Sequence, residues 1–314
     1  MAAVAVTGAN GFVGSHVVRE LLRRGHEVAA LIGADVGCEN LADVPVKPRA
    51  LDLLDPESVR AGLAGCDSVI HTAACYSFWL PDPRDFYRIN VDGTANVLAA
   101  ARSLGLRKLV YTSTGATLAA ERAGFRGHYR ASKAAGERLV LDAAASGFPA
   151  VVVHPTTVLG PGDRRPTPTG TLIVHFLARR MVVFIEMEQN VVHVDDVAAG
   201  HALALEHGVP GAHYVLGGDN LSMRELVGLL SEITGIPAPR FALPNSLVLA
   251  VGAASEWLAD HVTHRPPVVA REAALHARDA TPFDLAKTRA ELGYAPRPAR
   301  EVLEDAVRWF ARAQ

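Results

Sequence analysis

Tyr129 and Lys133 have the clearest capacity for chemistry in this chain, because they stand four positions apart in the run YRASK. In a helix, this spacing places both side chains on one face. A free tyrosine has a pKa of roughly 10, which is too high for a base near neutral pH. A lysine ammonium nearby favours the phenolate and lowers that pKa. The pair therefore predicts a group that takes a proton from an alcohol or, in reverse, gives one to a carbonyl oxygen.

Three hydroxyl residues, Thr112, Ser113 and Thr114, follow an apolar run at 109–111 that is typical of a buried strand. Ligands bind at the carboxyl ends of strands in an open α/β sheet. A hydroxyl there can hydrogen-bond and polarise a substrate oxygen, but the residues alone do not decide among the three. Asn90, in the run INVDGT, could support Lys133 through a water, and a helix-packing role is an equal alternative.

A glycine-rich turn lies near the start of the chain, in the sequence VTGANGFVG at positions 6–14. Gly8 permits a tight turn, Gly11 lets the backbone approach a pyrophosphate, and Gly14 lets the next helix pack closely on the sheet. The amino terminus of that helix offers N–H groups and a partial positive charge to phosphates. The spacing G-x-x-G-x-x-G differs from the common G-x-G-x-x-G, but its strand–turn–helix context predicts a dinucleotide site.

The end of the second predicted strand should select between NAD and NADP. Ile32 occupies the position expected for an acid that binds the ribose hydroxyls, and Gly33 the position where a base would favour NADP. Asp35 could reach the ribose from the loop or be a solvated turn residue. Asp52 and Leu53 are the better candidates for the adenine contact. The choice between the two cofactors stays open.

Short apolar runs alternate with amphipathic segments through the first half of the chain, which is the pattern of a parallel sheet covered by helices. Strands are predicted at Ala3–Val6, Val28–Ile32, Val46–Ala50, Val69–Thr72, Leu109–Thr112 and Val151–His154. Helices are predicted at Val13–Arg24, Pro56–Leu63, Arg88–Ala101 and Tyr129–Ala145. The predicted fold class is α/β, with a Rossmann-type doubly wound parallel sheet.

This alternation of apolar runs and amphipathic segments ends after about residue 155. A stretch rich in glycine, proline and threonine at 160–170 predicts a long functional loop, and an amphipathic helix is predicted from Pro298 to Ala313. We expect residues 1–155 to form an NAD(P)-binding Rossmann domain that carries Tyr129 and Lys133. We expect residues 156–314 to form mainly a small α/β substrate-binding lobe interleaved with the sheet.

Charge and hydropathy exclude several classes of partner. The 314 residues carry a formal net charge of −2 without a run of like charges, so neither nucleic acid nor a membrane is an expected partner. No signal-peptide pattern precedes the first strand, and the apolar stretch Leu247–Ala254 is too short to span a bilayer. A cytoplasmic protein is expected.

Cysteines and histidines give no indication of a metal. Cys38, Cys66 and Cys75 show no metal-binding spacing and cannot form a closed set of disulfides. His71, His154 and His193 each lie in or beside an apolar run, which favours core histidines, and no pair has ligand spacing with a carboxylate in support. No metal site is therefore expected.

These features together resemble the extended short-chain dehydrogenase/reductase family over nearly the whole chain. The motifs are VTGANGFVG at 6–14, LDLLD at 51–55, HTAA at 71–74, INVDGTANVL at 89–98, VYTST at 110–114, YRASK at 129–133, HPTTVLGPGD at 154–163, VHVDDVA at 192–198 and KTRAELGYAPRP at 287–298. The chain is most similar to the dihydroflavonol-reductase-type branch. PTPTGT at 166–171 and VLGGDNLSM at 215–223 resemble bacterial hopanoid-associated sugar epimerases. The resemblance implies an enzyme that uses NADP or NAD and forms a homodimer through the helices at 88–101 and 129–145.

The resemblance also implies site residues. It assigns catalysis to Tyr129, Lys133 and Thr114, which falls at the family's serine-or-threonine position. The expected cofactor contacts are Gly8, Asn10, Gly11, Phe12, Val13, Gly14, Asp52, Leu53, Thr72, Ala73, Ala74, Thr112, Tyr129, Lys133, Pro155, Thr156 and Val158. The expected substrate contacts are Tyr76, Phe78, Trp79, Thr114 and Thr157. The three aromatic residues suggest a flat or apolar substrate, unless they only cover the core.

Three departures from the family pattern narrow the expected chemistry. Gly115 and Ala116 follow Thr114 where dehydratases carry acidic residues, so dehydration is not expected. Residues 188–190, Glu-Gln-Asn, stand where sugar-nucleotide epimerases place an arginine that binds a diphosphate. Only 15 positions separate Thr114 from Tyr129, which predicts a shortened covering loop and a more open pocket.

Three functions follow as hypotheses. The first is a ketone reductase or alcohol dehydrogenase acting on a medium-sized, partly apolar or aromatic carbonyl compound. The second is a sugar or sugar-nucleotide epimerase, in which Arg179, Arg180 or Arg240 would supply the missing phosphate contact. The third is a catalytically silent dinucleotide-binding protein, which the presence of the complete catalytic set opposes.

Overall fold

The computed structural model describes residues 2–34, 36–118, 127–267 and 270–312 of the chain. Its strands are β1 (Ala3–Thr7), β2 (Glu27–Ile32), β3 (Arg49–Ala50), β4 (Ser68–His71), β5 (Lys108–Thr112), β6 (Ala150–Pro155), β7 (Thr157–Leu159), β8 (Val183–Ile185), β9 (Glu188–His193), β10 (His213–Leu216), β11 (Asp219–Ser222) and β12 (Phe241–Leu243). Its helices are α1 (Phe12–Arg23), α2 (Pro56–Leu63), α3 (Arg84–Tyr87), α4 (Gly93–Ser103), α5 (His128–Ala145), α6 (Pro168–Leu177), α7 (Val194–His207), α8 (Met223–Thr234), α9 (Asn245–Leu258), α10 (Arg271–Asp279), α11 (Ala286–Leu292) and α12 (Ala299–Arg312).

Seven parallel strands form the central sheet, in the order β10-β6-β5-β4-β1-β2-β3. The order reverses between β1 and β4, which leaves a crevice at the carboxyl ends of these two strands. The predicted Rossmann-type doubly wound α/β fold is confirmed. Six strands were predicted from the sequence, and the seventh, β10, comes from the second half of the chain.

Helices cover both faces of this sheet because its strands alternate between two cores. In β1, Val4 and Val6 pack with α1 and α7 on one face. Ala5 between them packs with α2, α4 and α5 on the other face. This period of two follows from the pleat of a strand.

Residues after β6 build a third apolar core beside the main sheet. The three-stranded sheet β11-β9-β7 and the two-stranded sheet β12-β8 lie here. α6, α8 and α12 pack around this core through residues such as Phe176, Leu230 and Phe310. α7 and β10 return to the main sheet, so the two halves of the chain share one structure.

At three places the structure differs from the predicted boundaries by more than one residue. The predicted helix at 88–101 begins as a π-helical turn at Arg88–Asp92 before α4. The predicted strand at 46–50 is only two residues long. The predicted loop at 160–170 ends at Pro168, where α6 begins with the Thr167 side chain as its N-cap. Among the described residues, no helix combines the length and the apolar character that crossing a bilayer requires.

Gly136 sets how closely α5 packs against the segment 88–92. A Cβ atom at this position would overlap the carbonyl oxygen of Asn90 and lie 2.6 Å from the hydroxyl of Tyr111. Both neighbours are buried, so neither can move aside into solvent. Because α5 also carries Tyr129 and Lys133, this contact fixes the depth of both side chains relative to the sheet.

We predict that Gly136→Ala lowers the free energy of unfolding by about 1–3 kcal/mol through overpacking. Gly228→Ala is the matched control, since position 228 lies inside α8 with nothing within 4 Å of an added Cβ. It should raise that free energy by about 0.5–1 kcal/mol through helix propensity. Urea unfolding of the two variants measures both changes, and equal changes would contradict the packing argument.

Candidate active site

Tyr129 and Lys133 lie on one face of α5 and border the same cleft at the carboxyl edge of the sheet. The Nζ atom of Lys133 donates a hydrogen bond to the carbonyl oxygen of Thr112, 2.7 Å away. The same atom lies 4.5 Å from the centre of the Tyr111 ring. Tyr129 is 6% exposed and Lys133 is 2% exposed. The two side chains therefore lie on the same cleft, as the spacing predicted. Both are almost completely shielded from bulk water.

Burial controls the ionisation of this pair more than any neighbouring charge does. Desolvation lowers the pKa of Lys133 to about 7, although the Glu137 carboxylate acts in the opposite direction. Desolvation also raises the pKa of Tyr129 well above its ordinary value, with a further contribution from Tyr76, and a hydrogen bond with Thr114 offsets this in part. From the sequence, Lys133 was expected to lower the pKa of Tyr129. In the free protein burial prevails, and Tyr129 is a neutral phenol near neutral pH.

Aromatic rings next to Tyr129 account for part of that desolvation. The ring centres of Tyr76 and Phe78 lie 5.2 Å and 6.3 Å from that of Tyr129. Both residues come from the irregular segment that follows β4. They form an aromatic wall beside the phenol.

Hydrogen bonds distinguish the three hydroxyl residues that end β5. The Thr112 hydroxyl pairs with Nε2 of His201 at 2.9 Å, and the Ser113 hydroxyl donates to Glu137 Oε2 at 2.6 Å. The Thr114 side chain instead hydrogen-bonds with Tyr129. Thr114 is thus the hydroxyl that the fold directs toward the phenol.

Asn90 connects the segment after β4 to α5. Its Oδ1 accepts a hydrogen bond from the Cys75 N–H at 2.8 Å, and its Nδ2 donates to the Ser132 hydroxyl at 2.9 Å. These contacts favour the helix-packing alternative for Asn90, and the residue also holds the start of the segment that carries Tyr76 and Phe78.

The glycine turn after β1 has a shape that only glycine can supply. Gly8 has a φ of 68°, in the left-handed region, and a Cβ atom there would lie 2.8 Å from Cα of Ala73. A Cβ atom at Gly14 would overlap the carbonyl oxygen of Gly8. Gly11 caps α1 without a side-chain hydrogen bond, so the first N–H groups of the helix remain available to a pyrophosphate. The residues present fit a dinucleotide.

A cleft of about 400 Å³ runs from this turn to Tyr129 and Lys133. The predicted cofactor residues on it are Gly8, Asn10, Gly11, Phe12, Val13, Gly14, Thr72, Ala74, Thr112, Tyr129, Lys133, Pro155, Thr156 and Val158. Sequence reasoning missed Glu39, Asn40, Arg164 and Arg165, which also line it. The two arginines belong to the stretch at 160–170, whose composition indicated a functional loop but not its place on the cofactor side.

A second cleft of about 540 Å³ extends the first toward the predicted adenosine end. The remaining predicted cofactor residues, Asp52, Leu53 and Ala73, line it together with Ile32 and Gly33. Asp52 Oδ1 accepts a hydrogen bond from the Leu54 N–H at 2.8 Å. Asp35 lies outside the described residues. No described residue that lines this cleft carries a positive charge.

A cavity of about 550 Å³ opens beside Tyr129 and Thr114. Tyr76, Phe78 and Thr157 line it, as predicted for substrate contacts. Further apolar walls come from α6, from β8 with its flanking residues, and from α10 with the segment after it: Leu172, Met181, Val183, Phe184, Ile185, Met187, Ala273 and Phe283. Sequence reasoning missed these residues, since they belong to no motif and come together only through tertiary structure.

Trp79 is a predicted substrate residue that the structure places elsewhere. Its indole N–H donates a hydrogen bond to Asp260 at 2.9 Å. Its ring lines a separate cavity with Phe86 and Leu275. The segment after β4 is irregular, so Trp79 points away from the cavity that Tyr76 and Phe78 share.

The cavity beside Tyr129 contains little charge. Among its described lining residues, Glu188 is the one carboxylate, and there is no lysine or arginine. Burial lowers the pKa of His276, which also lines it, to about 4, so this imidazole is neutral near pH 7. The arginines considered as phosphate contacts are exposed and do not line the cavity: Arg179, Arg180 and Arg240.

Gly115 lies against the ring of Phe283, so an acidic side chain at this position would have to displace that ring. A Cβ atom at this position would lie 2.9 Å from Cζ of Phe283 and 3.4 Å from Cγ2 of Thr156. The ring of Phe283 therefore occupies the space next to Thr114 that a carboxylate would need.

Comparison with known proteins agrees with this architecture. The sequence pattern of the NAD dependent epimerase/dehydratase family matches residues 4–217. A Synechocystis sp. protein assigned as a dihydroflavonol 4-reductase is 37% identical, over 97% of this chain and 93% of its own length. The 4-hydroxy-2-methyl-3-oxo-4-farnesyl-3,4-dihydroquinoline-1-oxide ketoreductase of Stigmatella aurantiaca is 33% identical, over 96% of this chain and 95% of its own.

A solved structure shares the whole fold. The UDP-glucose 4-epimerase of Thermus thermophilus, in complex with NAD, is 27% identical and superposes with a TM-score of 0.77, covering 99% of this chain and 100% of that one. The family pattern, the full-length relatives and the dinucleotide cleft agree with one another. The chain therefore belongs to the NAD dependent epimerase/dehydratase family and is an NAD(P)-dependent oxidoreductase of the extended short-chain dehydrogenase/reductase type.

Proposed function

We propose that this protein reduces the carbonyl group of a medium-sized ketone that is largely apolar or aromatic. The observation that carries the proposal is the cavity of about 550 Å³ that shares Tyr129 and Thr114 with the cofactor cleft. Its walls bury apolar surface of a ligand, which is the main source of affinity in such sites. The two relatives named as reductases support the same direction of reaction.

Tyr129 is the proton donor in this proposal. Its phenol is neutral near pH 7, and burial raises its pKa further, so the proton is in place before the substrate arrives. Thr114 hydrogen-bonds with Tyr129 and borders the same cavity, which lets both hydroxyls contact one carbonyl oxygen. When bound, the reduced nicotinamide supplies the hydride for the carbonyl carbon. The Tyr129 proton then moves to the carbonyl oxygen, and the product is an alcohol.

Lys133 positions the cofactor and balances charge in this proposal. Its amino group is held by the Thr112 carbonyl oxygen and can donate further hydrogen bonds into the cofactor cleft. Once Tyr129 has given up its proton, the ammonium form of Lys133 stabilises the phenolate by its charge. The phenolate then recovers a proton from solvent.

Sugar-nucleotide epimerisation is the second candidate, supported by the family name and by the epimerase of similar fold. A diphosphate requires cations, and bidentate arginine contacts are the usual means of binding it. The described lining of the substrate cavity offers Glu188 instead, whose carboxylate repels a diphosphate. An apolar ketone is therefore the better fit.

We further propose that NAD is the preferred cofactor. The 2′-phosphate of NADP would lie near Ile32 and Gly33, in a cleft whose described lining has no cation to bind it. Assembly into a homodimer through α4 and α5 stays a prediction from the family resemblance.

We predict that Tyr129→Phe lowers kcat for carbonyl reduction by about 10²–10⁴-fold, because the proton donor is removed while the ring is kept. Cofactor affinity should stay unchanged, since the Tyr129 hydroxyl is assigned to the substrate oxygen. Steady-state assays with NADH and a ketone give the first quantity, and fluorescence titration with NADH gives the second. Retention of most of the rate would remove Tyr129 from its assigned role.

We predict that Leu172→Ala reduces kcat/KM for a long-chain or aryl ketone by roughly tenfold, because a buried leucine contact is worth about 1.5–3 kcal/mol. A short ketone that does not reach α6 should be affected much less. Leu229→Ala is the matched control, since Leu229 is equally half-buried but packs on the third core outside the cavity. The cavity assignment fails if both variants lose activity equally toward both ketones.

We predict a kcat/KM at least about tenfold higher with NADH than with NADPH, which corresponds to roughly 1.4 kcal/mol of discrimination. Gly33→Arg should narrow this ratio, because it places a cation at the position where a base favours NADP. Parallel assays with the two cofactors measure it, and an equal or reversed preference would contradict the assignment of this cleft to NAD.

A further inference from the structure

Glu137, His154 and His213 converge behind the active site, although they are far apart in the sequence. Glu137 lies one helical turn after Lys133 in α5, His154 near the end of β6, and His213 at the start of β10. β6 and β10 pair so that Val215 stands opposite His154. Since side chains two residues apart in a strand share a face, the two imidazoles lie on the same side of the sheet.

Three atoms of this cluster define a compact triangle. Nε2 of His154 lies 3.0 Å from Nδ1 of His213 and 3.7 Å from Oε1 of Glu137. Nδ1 of His213 and Oε1 of Glu137 are 3.4 Å apart. Tetrahedral zinc binds nitrogen and oxygen ligands at about 2.0–2.2 Å, which places neighbouring ligand atoms about 3.3 Å from each other. The triangle matches one face of that tetrahedron.

The remaining polar atoms of the cluster already have partners that orient these ligands. Nδ1 of His154 donates to the Thr114 carbonyl oxygen at 3.1 Å, which leaves the lone pair of Nε2 directed at the cluster. Oε2 of Glu137 accepts a hydrogen bond from the Ser113 hydroxyl at 2.6 Å, which leaves Oε1 for the cluster. Such outer contacts are what metal ligands in proteins usually show.

Exposure of the cluster differs from one side to the other. The side chains of His154 and Glu137 are 0% and 7% exposed, whereas that of His213 is 35% exposed. An ion can therefore enter from the His213 side, where water can provide a fourth ligand.

We propose that Glu137, His154 and His213 bind a Zn²⁺ ion that joins α5, β6 and β10. On binding, the proton on Nδ1 of His213 moves through solvent to Nε2 of the same ring, so that the imidazole stays neutral and Nδ1 is free to bind the ion. The ion takes no part in the reduction, because the cluster lies behind the Thr114 backbone and lines neither the cofactor cleft nor the substrate cavity. It holds in place the end of β5 that carries Thr114. The proposal is independent of the reductase assignment.

Zinc titration of the full chain, without an affinity tag and after treatment with a chelator, tests this site. We expect one Zn²⁺ per chain by calorimetry, and a melting temperature raised by roughly 5 °C at a hundredfold excess over Kd. His213→Ala should weaken binding at least about tenfold by removing the most exposed ligand. His207→Ala is the matched control, since His207 is 59% exposed and lies 3.7 Å from Glu206, away from the cluster.

The visible spectrum of Co²⁺ bound in place of Zn²⁺ shows which kinds of ligand hold the ion. Co²⁺ bound here should show the visible spectrum of a tetrahedral ion without a thiolate band, which separates this site from Cys38, Cys66 and Cys75. Glu137→Gln should also weaken binding, and circular dichroism of both variants checks that they fold. The proposal is overturned if the wild type does not bind zinc, if His213→Ala binds as well as the wild type, or if a thiolate band appears.

Discussion

Removal of Tyr129 and Lys133 from water together is the constraint on which the rest of this structure depends. Desolvation raises the pKa of the phenol further above neutral pH and brings the pKa of the lysine down to about 7. A single amino-group contact, from Lys133 Nζ to the Thr112 carbonyl oxygen, anchors the pair to the end of β5. The same apolar surroundings that exclude water from Tyr129 also line the cavity that we propose for the substrate. Burial in apolar surroundings therefore accounts both for the raised pKa of Tyr129 and for the apolar substrate that we propose.

The fold supplies that water-excluded position through its strand order. The reversal between β1 and β4 opens the crevice, and β5 places Thr114 at its rim. Gly136 lets α5 approach closely enough for Lys133 to reach the Thr112 carbonyl oxygen. Gly8 and Gly14 likewise allow α1 to pack close to the sheet. A side chain at either position would push the helix away from the proposed phosphate site. The proposed catalytic and cofactor residues are thus held at one edge by close backbone packing.

Features that depend on near neighbours in the chain were predictable from the sequence, and features that depend on distant contacts were not. The glycine turn, the Tyr129–Lys133 spacing and six of the seven parallel strands follow from local pattern. The direction of the Tyr129 pKa shift depends on burial by Tyr76 and other distant residues, so the sequence suggested the opposite sign. Trp79 turns away because its partner, Asp260, is 181 positions further along. The cavity walls and the Glu137–His154–His213 cluster are likewise assembled from separate segments without any local motif.

Reduction of an apolar carbonyl compound, with consumption of the cofactor, is the central claim for this site. Transfer of deuterium from NADH labelled at the reactive carbon of the nicotinamide tests it most directly, with the label followed by mass spectrometry and NMR. We expect deuterium on the carbinol carbon of an apolar alcohol and one cofactor oxidised for each product molecule. Turnover of a sugar nucleotide to its epimer without net oxidation of the cofactor, with no labelled alcohol formed from any apolar ketone, would contradict the claim.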